Sequence, residues 1–274
     1  MNVTKITLLY YSATGNTEKV VSAIGQKMAE CLQVPCEKAD ITLPGNRLAA
    51  LEFQKGDLVI AGMPVYAGRV PNKILPYLQE KIEGNGAAAI PVVTFGNRSY
   101  DNGLKELQHE LELHGFHTFA AAAVPAEHAF TDQLAKGRPA SADINRIRKF
   151  AKHAADMVKL LPENITVQVK VAGEYPAPYY TPLGTDGQPA VFLKAKPLTD
   201  PKKCDGCGIC VKVCPMGSIS EENPAEVRGI CIKCQACVKK CPRGAKYFAD
   251  PAFLSHVAML EQNYKRRAEA EFFV

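Results

Sequence analysis

Eight cysteines in two matching runs constrain this chain more than any other feature of its sequence. Each run has the spacing C-x2-C-x2-C-x3-C and is followed directly by proline. Cysteines at this spacing bind iron–sulfur clusters. Pairs of the form C-x2-C also bind zinc, but a four-ligand zinc site has no use for the third cysteine and the proline, repeated twice. The predicted metal ligands are Cys204, Cys207, Cys210, Cys214, Cys231, Cys234, Cys237 and Cys241.

The remaining sequence favours a cytoplasmic protein without a membrane span. No run of about 18 or more apolar residues occurs, and the N-terminus lacks the pattern of a signal peptide. In the cytoplasm, cysteines more often bind metals or carry redox chemistry than form disulfides. The other two cysteines, Cys31 and Cys36, lie at a predicted helix end and near a predicted strand, and are expected to be ordinary, partly buried thiols.

Strand-like and helix-like segments alternate over the first 161 residues. Apolar runs near residues 3–11, 34–38, 57–61, 87–95 and 116–124 predict five strands, with helical periodicity between them. This alternation indicates βαβ units and a parallel sheet, so the fold class is α/β. Residues 172–197 are rich in proline, glycine and tyrosine and are typical of a linker. Residues 251–274 are predicted to form a charged, amphipathic C-terminal helix.

The turn after the first strand has the character of a phosphate site. It leads directly into a helix N-terminus, where free N–H groups and the helix dipole favour an anion. It lacks both G-K-[ST] and G-x-G-x-x-G, so neither a nucleoside triphosphate loop nor a dinucleotide fingerprint is present. Hydroxyls and amides without lysine suit the phosphate of FMN, whereas the simpler alternative is a hydroxyl-rich helix cap. The turn comprises Ser12, Ala13, Thr14, Gly15, Asn16 and Thr17.

Through this turn, residues 3–161 resemble flavodoxins. The resemblance implies a five-stranded parallel sheet in the order 2-1-3-4-5, with ligands at its C-terminal edge. Two further loops would then flank the flavin ring: Pro64, Val65, Tyr66, Ala67, Gly68 and Arg69, and Thr94, Phe95, Gly96, Asn97, Arg98, Tyr100 and Asp101.

The resemblance also implies roles for individual loop residues. Tyr66 and Tyr100 become candidates for packing against the ring, with ordinary loop packing as the alternative. Backbone amides near Gly68, Gly96 and Asn97 would contact the ring edge. Arg69 or Arg98 would stabilise a reduced, anionic flavin, or else be solvated at the surface. The chain has no tryptophan, although many flavodoxins place one at the ring.

Residues 198–250 resemble bacterial ferredoxins with two 4Fe-4S clusters, a small α+β fold. In that family, the fourth cysteine of each run ligates the other cluster. Cluster I is then expected on Cys204, Cys207, Cys210 and Cys241, and cluster II on Cys231, Cys234, Cys237 and Cys214. The whole chain resembles the fused flavodoxin–ferredoxin proteins of anaerobes. The expected domains are a flavodoxin-like FMN domain (1–171), the linker (172–197), a ferredoxin domain (198–250) and the C-terminal helix (251–274).

The resemblance predicts an electron-transfer protein that passes electrons between FMN, two clusters and redox partner proteins, such as a reductase, an oxidase or a ferredoxin-dependent enzyme. No catalytic residue and no NAD(P) segment is expected. The formal charge of +5 falls to about +1 with two clusters bound, so no nucleic-acid partner is predicted. Lysines around the cysteine runs are either solvated or dock an acidic partner.

Two other functions stay open. One is an FMN-dependent reductase of a small molecule such as a quinone, with residues 126–142, including His128 and Phe130, as a lid. The other is a module in which the clusters only sense redox state or hold the fold together.

Overall fold

The computed structural model describes residues 1–162 and 168–274. Within these residues no helix is long and apolar enough to cross a membrane. The strands are β1 (Lys5–Tyr10), β2 (Cys36–Asp40), β3 (Leu51–Glu52), β4 (Asp57–Pro64), β5 (Ile82–Glu83), β6 (Ala88–Phe95), β7 (His117–Thr118), β8 (Ala121–Pro125), β9 (Leu198–Thr199), β10 (Lys246–Tyr247) and β11 (Glu271–Phe273). The α-helices are α1 (Asn16–Leu32), α2 (Leu75–Glu80), α3 (Gly103–Leu113), α4 (Ser141–Leu160), α5 (Ile209–Lys212), α6 (Ala236–Lys239) and α7 (Pro251–Asn263).

The central sheet has the strand order β11-β8-β6-β4-β1-β2, and the short β7 pairs with β6 outside this path. The strands β2, β1, β4, β6 and β8 pair in parallel, in the order 2-1-3-4-5 expected of a flavodoxin-like fold. The fold prediction is therefore confirmed. Every residue of β6 is buried, which is typical of a parallel strand covered on both faces.

Helices cover both faces of this sheet. On one face, Val20 and Ile24 of α1 and Ile147 of α4 belong to the same buried cluster as Leu8 and Ile60 of the strands. On the other face, α3 packs over the sheet in a second buried cluster. Partly buried residues of the second cysteine run, Ile232 and Cys234, pack against this second cluster. The cysteine-containing region therefore packs directly against the sheet.

The cysteine-containing region is small and internally repeated. Its strands β9 and β10 pair antiparallel, and the helices α5 and α6 begin at equivalent places within the two cysteine runs. The backbone repeats as well: Gly206 and Lys233 have φ of 73° and 55°, and Gly208 and Gln235 have φ of 70° and 63°. The two runs thus wrap their thiols with the same left-handed turns, and the predicted α+β domain is confirmed.

The C-terminus differs from the prediction. The helix predicted over 251–274 ends at Asn263, and β11 then pairs antiparallel with β8 at the edge of the central sheet. The sheet therefore has an antiparallel edge strand beyond the five predicted. The cause is a set of bonds from the Asn97 side chain. Its Nδ2 donates to the carbonyls of Tyr264 (2.6 Å) and Arg266 (2.9 Å), and its Oδ1 accepts from the Ala268 N–H (3.1 Å). These bonds hold the chain extended toward β8.

Candidate functional site

A cavity of 610 Å³ lies where β1, β4 and β6 end. Its volume is within the usual range for ligand pockets, about 300–1,000 Å³. Parallel strands in this fold class place their ligands at this edge of the sheet. The predicted flavin residues that line the cavity are Ala13, Thr14, Asn16, Thr17, Pro64, Val65, Tyr66, Ala67, Gly68, Thr94, Phe95, Gly96 and Arg98. Those outside its lining are Ser12, Gly15, Arg69, Asn97, Tyr100 and Asp101.

The turn before α1 combines a left-handed glycine with several hydroxyls. Gly15 has φ of 96°, a conformation that glycine adopts without a steric penalty. The Ser12 hydroxyl accepts the N–H of Glu18 (3.0 Å), and Thr17 Oγ1 lies 2.8 Å from Thr94 Oγ1. In the described residues, only the half-buried Thr14 among these hydroxyls has no partner. Thr14 is therefore the hydroxyl most available to an anion at the start of this helix.

Arg69 is held away from the cavity by the buried carboxylate of Glu106. Its Nε donates to Glu106 Oε1 (3.0 Å), and the two side chains form a salt bridge. Its Nη1 donates to the carbonyl of Ala177 in the linker (2.9 Å). The hydrogen bond to Glu106 is the largest cause that raises the pKa of the Arg69 guanidinium. This arginine therefore joins the linker to the sheet domain, and of the two predicted flavin arginines only Arg98 lines the cavity.

Tyr100, Asp101 and Asn97 also have structural partners. The Tyr100 hydroxyl donates to Glu271 of β11 (2.6 Å), and its ring packs 5.4 Å from that of Phe95. Asp101 forms a salt bridge with Arg98. As described above, the Asn97 side chain binds the C-terminal segment. Two side chains of the loop after β6, those of Asn97 and Tyr100, therefore bind the C-terminal segment.

The linker forms a wall of the cavity that the sequence interpretation did not include. Tyr179 and Tyr180 both line it, and the Tyr180 N–H donates to the Ala67 carbonyl (2.8 Å). The Arg98 guanidinium lies 3.8 Å from the centre of the Tyr180 ring, and that of Arg69 lies 4.6 Å from the Tyr179 ring, as in cation–π pairs. The cluster of tyrosines in an otherwise proline-rich linker is the sequence signal that could have predicted this wall.

The cysteine thiols line two further cavities, in groups of four. One is lined by Cys204, Cys207, Cys210 and Cys241, and the other by Cys214, Cys231, Cys234 and Cys237. Each group takes three cysteines from one run and one from the other, which is the grouping that crossed ligation requires. The one cysteine that each group takes from the other run is Cys214 or Cys241, and the two have equivalent backbone donors. The Ser218 N–H lies 3.4 Å from Cys214 Sγ, and the Ala245 N–H lies 3.2 Å from Cys241 Sγ. Such N–H donors stabilise ligating thiolates.

The two thiol cavities differ in burial. Burial raises the pKa of Cys234 and of Cys237 to about 12, so these thiols stay protonated unless a metal offsets the negative charge. In the other cavity, Cys207 is exposed, Cys204 and Cys241 are half-buried, and Cys210 is buried. The one exposed thiol of the eight therefore belongs to the first group, whose cavity we call the outer cavity, and we call the cavity of the second group the interior thiol cavity.

The interior thiol cavity and the large cavity share a wall. Four consecutive residues line both: Ile230, Cys231, Ile232 and Lys233. Tyr11 is fully buried and belongs to the same apolar cluster as Ile232 of this wall. Its ring meets that of Tyr66 edge to face at 6.3 Å. A ligand in the large cavity and a group held by the interior thiols would therefore be separated by a single layer of residues.

Comparisons with known proteins agree with this architecture. Residues 203–246 match the model of the 4Fe-4S dicluster domain. None of the curated proteins matches the sequence.

The solved structures similar to the chain include several flavodoxins. A flavodoxin from the domain Archaea is 13% identical, with a TM-score of 0.42, over 57% of this chain and 99% of that one. The flavodoxin of Streptococcus pneumonia TIGR4 is 19% identical, with a TM-score of 0.40, over 56% of this chain and 99% of that one. The strand order of the sheet is that of a flavodoxin-like fold, and residues 203–246 match a 4Fe-4S dicluster domain, an arrangement consistent with a flavodoxin–ferredoxin fusion.

Proposed function

We propose that this chain is an electron-transfer protein that holds FMN at the edge of its central sheet and two 4Fe-4S clusters in its cysteine-containing region. When bound, FMN exchanges one or two electrons and each cluster exchanges one, so the chain would join two-electron to one-electron reactions. The proposed units are residues 1–171 for the flavin, 198–250 for the clusters and 172–197 as the linker, with 251–274 returning to the first unit.

The lining of the large cavity supports FMN as its ligand. The helix N-terminus with Thr14 and Thr17 supplies donors for a phosphate, and the loops after β4 and β6 supply apolar contacts. Tyr66 and Phe95 offer aromatic surface, and Arg98 supplies a positive charge. Of the residue roles expected from the flavodoxin resemblance, we retain those of the lining residues and propose no flavin contact for the side chains of Arg69, Asn97, Tyr100 and Asp101.

The burial of each thiol group supports two clusters in different surroundings. Cluster II would occupy the interior cavity on Cys214, Cys231, Cys234 and Cys237. Cluster I would occupy the outer cavity on Cys204, Cys207, Cys210 and Cys241. Between the two cavities, Cys210, Ile219 and Cys237 form one buried apolar cluster that excludes water.

One observation carries the proposal most directly, namely the wall from Ile230 to Lys233 that the flavin cavity and the interior thiol cavity share. It supports a position of cluster II nearer the flavin and of cluster I nearer the surface. The chain itself would separate the flavin and cluster II by one layer of residues. Electrons would therefore exchange with outside partners at cluster I.

The surface near cluster I supports an acidic redox partner. Among the lysines around the cysteine runs, Lys233 donates to the carbonyls of Leu193 and Cys231, Lys246 is buried, and Lys239 pairs with Glu127 at 3.0 Å. Like Lys239, the residues Lys202, Lys203, Lys212 and Lys240 are exposed, and Lys203 lies 3.8 Å from Asp200. An exposed set of one charge sign steers a partner of the opposite sign toward the site.

Anaerobic purification followed by reductive titration tests this function. We expect about one FMN, eight iron and eight sulfide per chain, and uptake of about four electrons when the flavin and both clusters are reduced. Flavin absorbance reports on one cofactor, and EPR of the reduced protein reports on the clusters. Purified protein that contains about four iron, or that takes up no electrons into bound flavin, would contradict the proposal.

A further inference from the structure

The large cavity is also lined by aromatic side chains from three separate segments, none of which the FMN proposal uses. His128 and Phe130 follow β8, Tyr180 and Phe192 come from the linker, and His256 comes from α7. We call these five residues the aromatic compartment. Their rings pack together, with centroids 5.2 Å apart for His128 and Phe130 and 5.5 Å apart for the stacked Phe192 and His256.

Phe253 of α7 supports the compartment from behind. Its ring lies 4.9 Å from Phe130 and 5.5 Å from Phe192, in edge-to-face arrangements. The compartment also touches the flavin loop after β6. Gly96 has no side chain, and a Cβ there would lie 2.2 Å from Cδ2 of His128. The compartment is therefore a packed surface adjoining the proposed flavin site, built from residues that the flavin proposal does not use.

The two histidines have opposite hydrogen-bonding groups at Nε2. Nδ1 of His128 accepts the N–H of Phe130 (3.1 Å), so in the neutral ring Nε2 carries the hydrogen. Nδ1 of His256 lies 2.8 Å from the Leu183 carbonyl, which only accepts, so Nδ1 carries the hydrogen and Nε2 is an acceptor. Neither Nε2 has a hydrogen-bond partner in the part of the chain that the structure describes.

Both rings are neutral near pH 7. Burial lowers the pKa of His128 to about 4, and the neighbouring His256, Lys239 and Arg98 act in the same direction. Burial also lowers the pKa of His256. The compartment thus offers one N–H donor and one nitrogen acceptor among aromatic faces.

We propose that the aromatic compartment binds a planar quinone, whose ring packs between the aromatic side chains and whose carbonyl accepts the His128 Nε2–H. A hydroxyl of the corresponding hydroquinone would donate to Nε2 of His256, so both oxidation states find a partner. Flat aromatic ligands favour pockets in which a few polar groups fix their orientation among apolar side chains. This inference rests on the proposed function, because the flavin is taken to occupy the neighbouring part of the cavity.

The test is calorimetric titration of the anaerobically purified, flavin-loaded protein with menadione, a methylnaphthoquinone. Methylnaphthalene, which lacks the carbonyls, is the matched control ligand. We expect menadione to bind more tightly than methylnaphthalene. His128→Phe should weaken menadione binding about tenfold, because one hydrogen bond is lost, and leave methylnaphthalene binding unchanged.

Control variants and the cofactor content make the result decisive. His128→Gln keeps an N–H donor and should bind menadione more tightly than His128→Phe. His153→Phe, the same change at an exposed position of α4, should bind both compounds as the wild type does. Equal affinity of the wild type for the two compounds would overturn the inference, as would loss of flavin in His128→Phe in proportion to loss of menadione binding. If the flavin and iron contents still match the values expected above, the electron-transfer proposal stands in either case.

Discussion

Replacing Cys214 with alanine is expected to remove cluster II, although this residue belongs to the first cysteine run. Its thiol lines the interior cavity with Cys231, Cys234 and Cys237, and it accepts the N–H of Ser218 at 3.4 Å. A 4Fe-4S cluster needs four protein ligands, and an alanine leaves one iron without any. The iron content should fall from about eight to about four per chain. Iron analysis and EPR of the reduced protein measure this loss.

Pairs of substitutions test the crossed ligation. Cys214→Ala combined with Cys231→Ala should retain about four iron, because both residues are assigned to cluster II. Cys214→Ala combined with Cys204→Ala should lose nearly all iron, because the two residues are assigned to different clusters. Cys31→Ala, outside both runs, is the control and should keep the full iron content. The reverse pattern in the two double variants would show that each run ligates its own cluster.

Replacing Thr14 with valine is expected to weaken FMN binding by about 2 kcal/mol, or roughly thirtyfold, because a hydrogen bond to the charged phosphate is lost. Thr14 is the more informative of the two threonines, since the Thr17 hydroxyl already lies 2.8 Å from that of Thr94. Valine keeps the shape of threonine and removes only the hydroxyl. The dissociation constant of FMN, measured by fluorescence titration of the flavin-free protein, reports the effect.

The control for this prediction is Thr14→Ser, which restores a hydroxyl at the same position. It should bind FMN nearly as tightly as the wild type does. Both variants should keep their iron, because the turn lies far along the chain from the cysteine runs and lines neither thiol cavity. An unchanged dissociation constant in Thr14→Val would rule out the proposed phosphate site.

The strand order and the repeated cysteine region could be predicted because their signals are local and regular. Buried strands such as β4 and β6 are nearly continuous apolar runs. Their alternation with helices restricts the possible sheet topologies to a small number. The cysteine spacing is equally specific, since each short run sets its own backbone turns. The grouping of Cys214 and Cys241 with the opposite runs was expected from the family resemblance rather than from spacing.

The C-terminal strand could not be predicted because its signal is not local. Glu271–Phe273 has three residues, and what makes it a strand is pairing with β8, about 150 residues earlier in the chain. The same segment explains two side chains that do not line the cavity. Asn97 and Tyr100 follow a strand at the ligand edge, as flavin contacts should, but their polar atoms bind residues 264–271. A sequence pattern predicts that a residue lies at the ligand edge of the sheet, but it does not show which distant part of the chain contacts that residue.

The wall contributed by the linker was only partly predictable. The linker's richness in tyrosine is visible in the sequence, but the arginines on which Tyr179 and Tyr180 stack, Arg69 and Arg98, come from two other loops. The aromatic compartment likewise unites three segments whose sequences carry no common motif. Contacts of this kind depend on how the two units pack, which sequence periodicity does not encode.

We propose that the flavin exchanges electrons with outside partners through cluster II, across the wall that the two cavities share. The most direct measurement is anaerobic stopped-flow mixing with a reduced bacterial ferredoxin, with flavin absorbance followed in the wild type and in flavin-loaded Cys214→Ala. We predict rapid reduction of the flavin in the wild type and much slower reduction in Cys214→Ala. Equal rates in the two proteins would show that electrons reach the flavin without cluster II, and would contradict the claim.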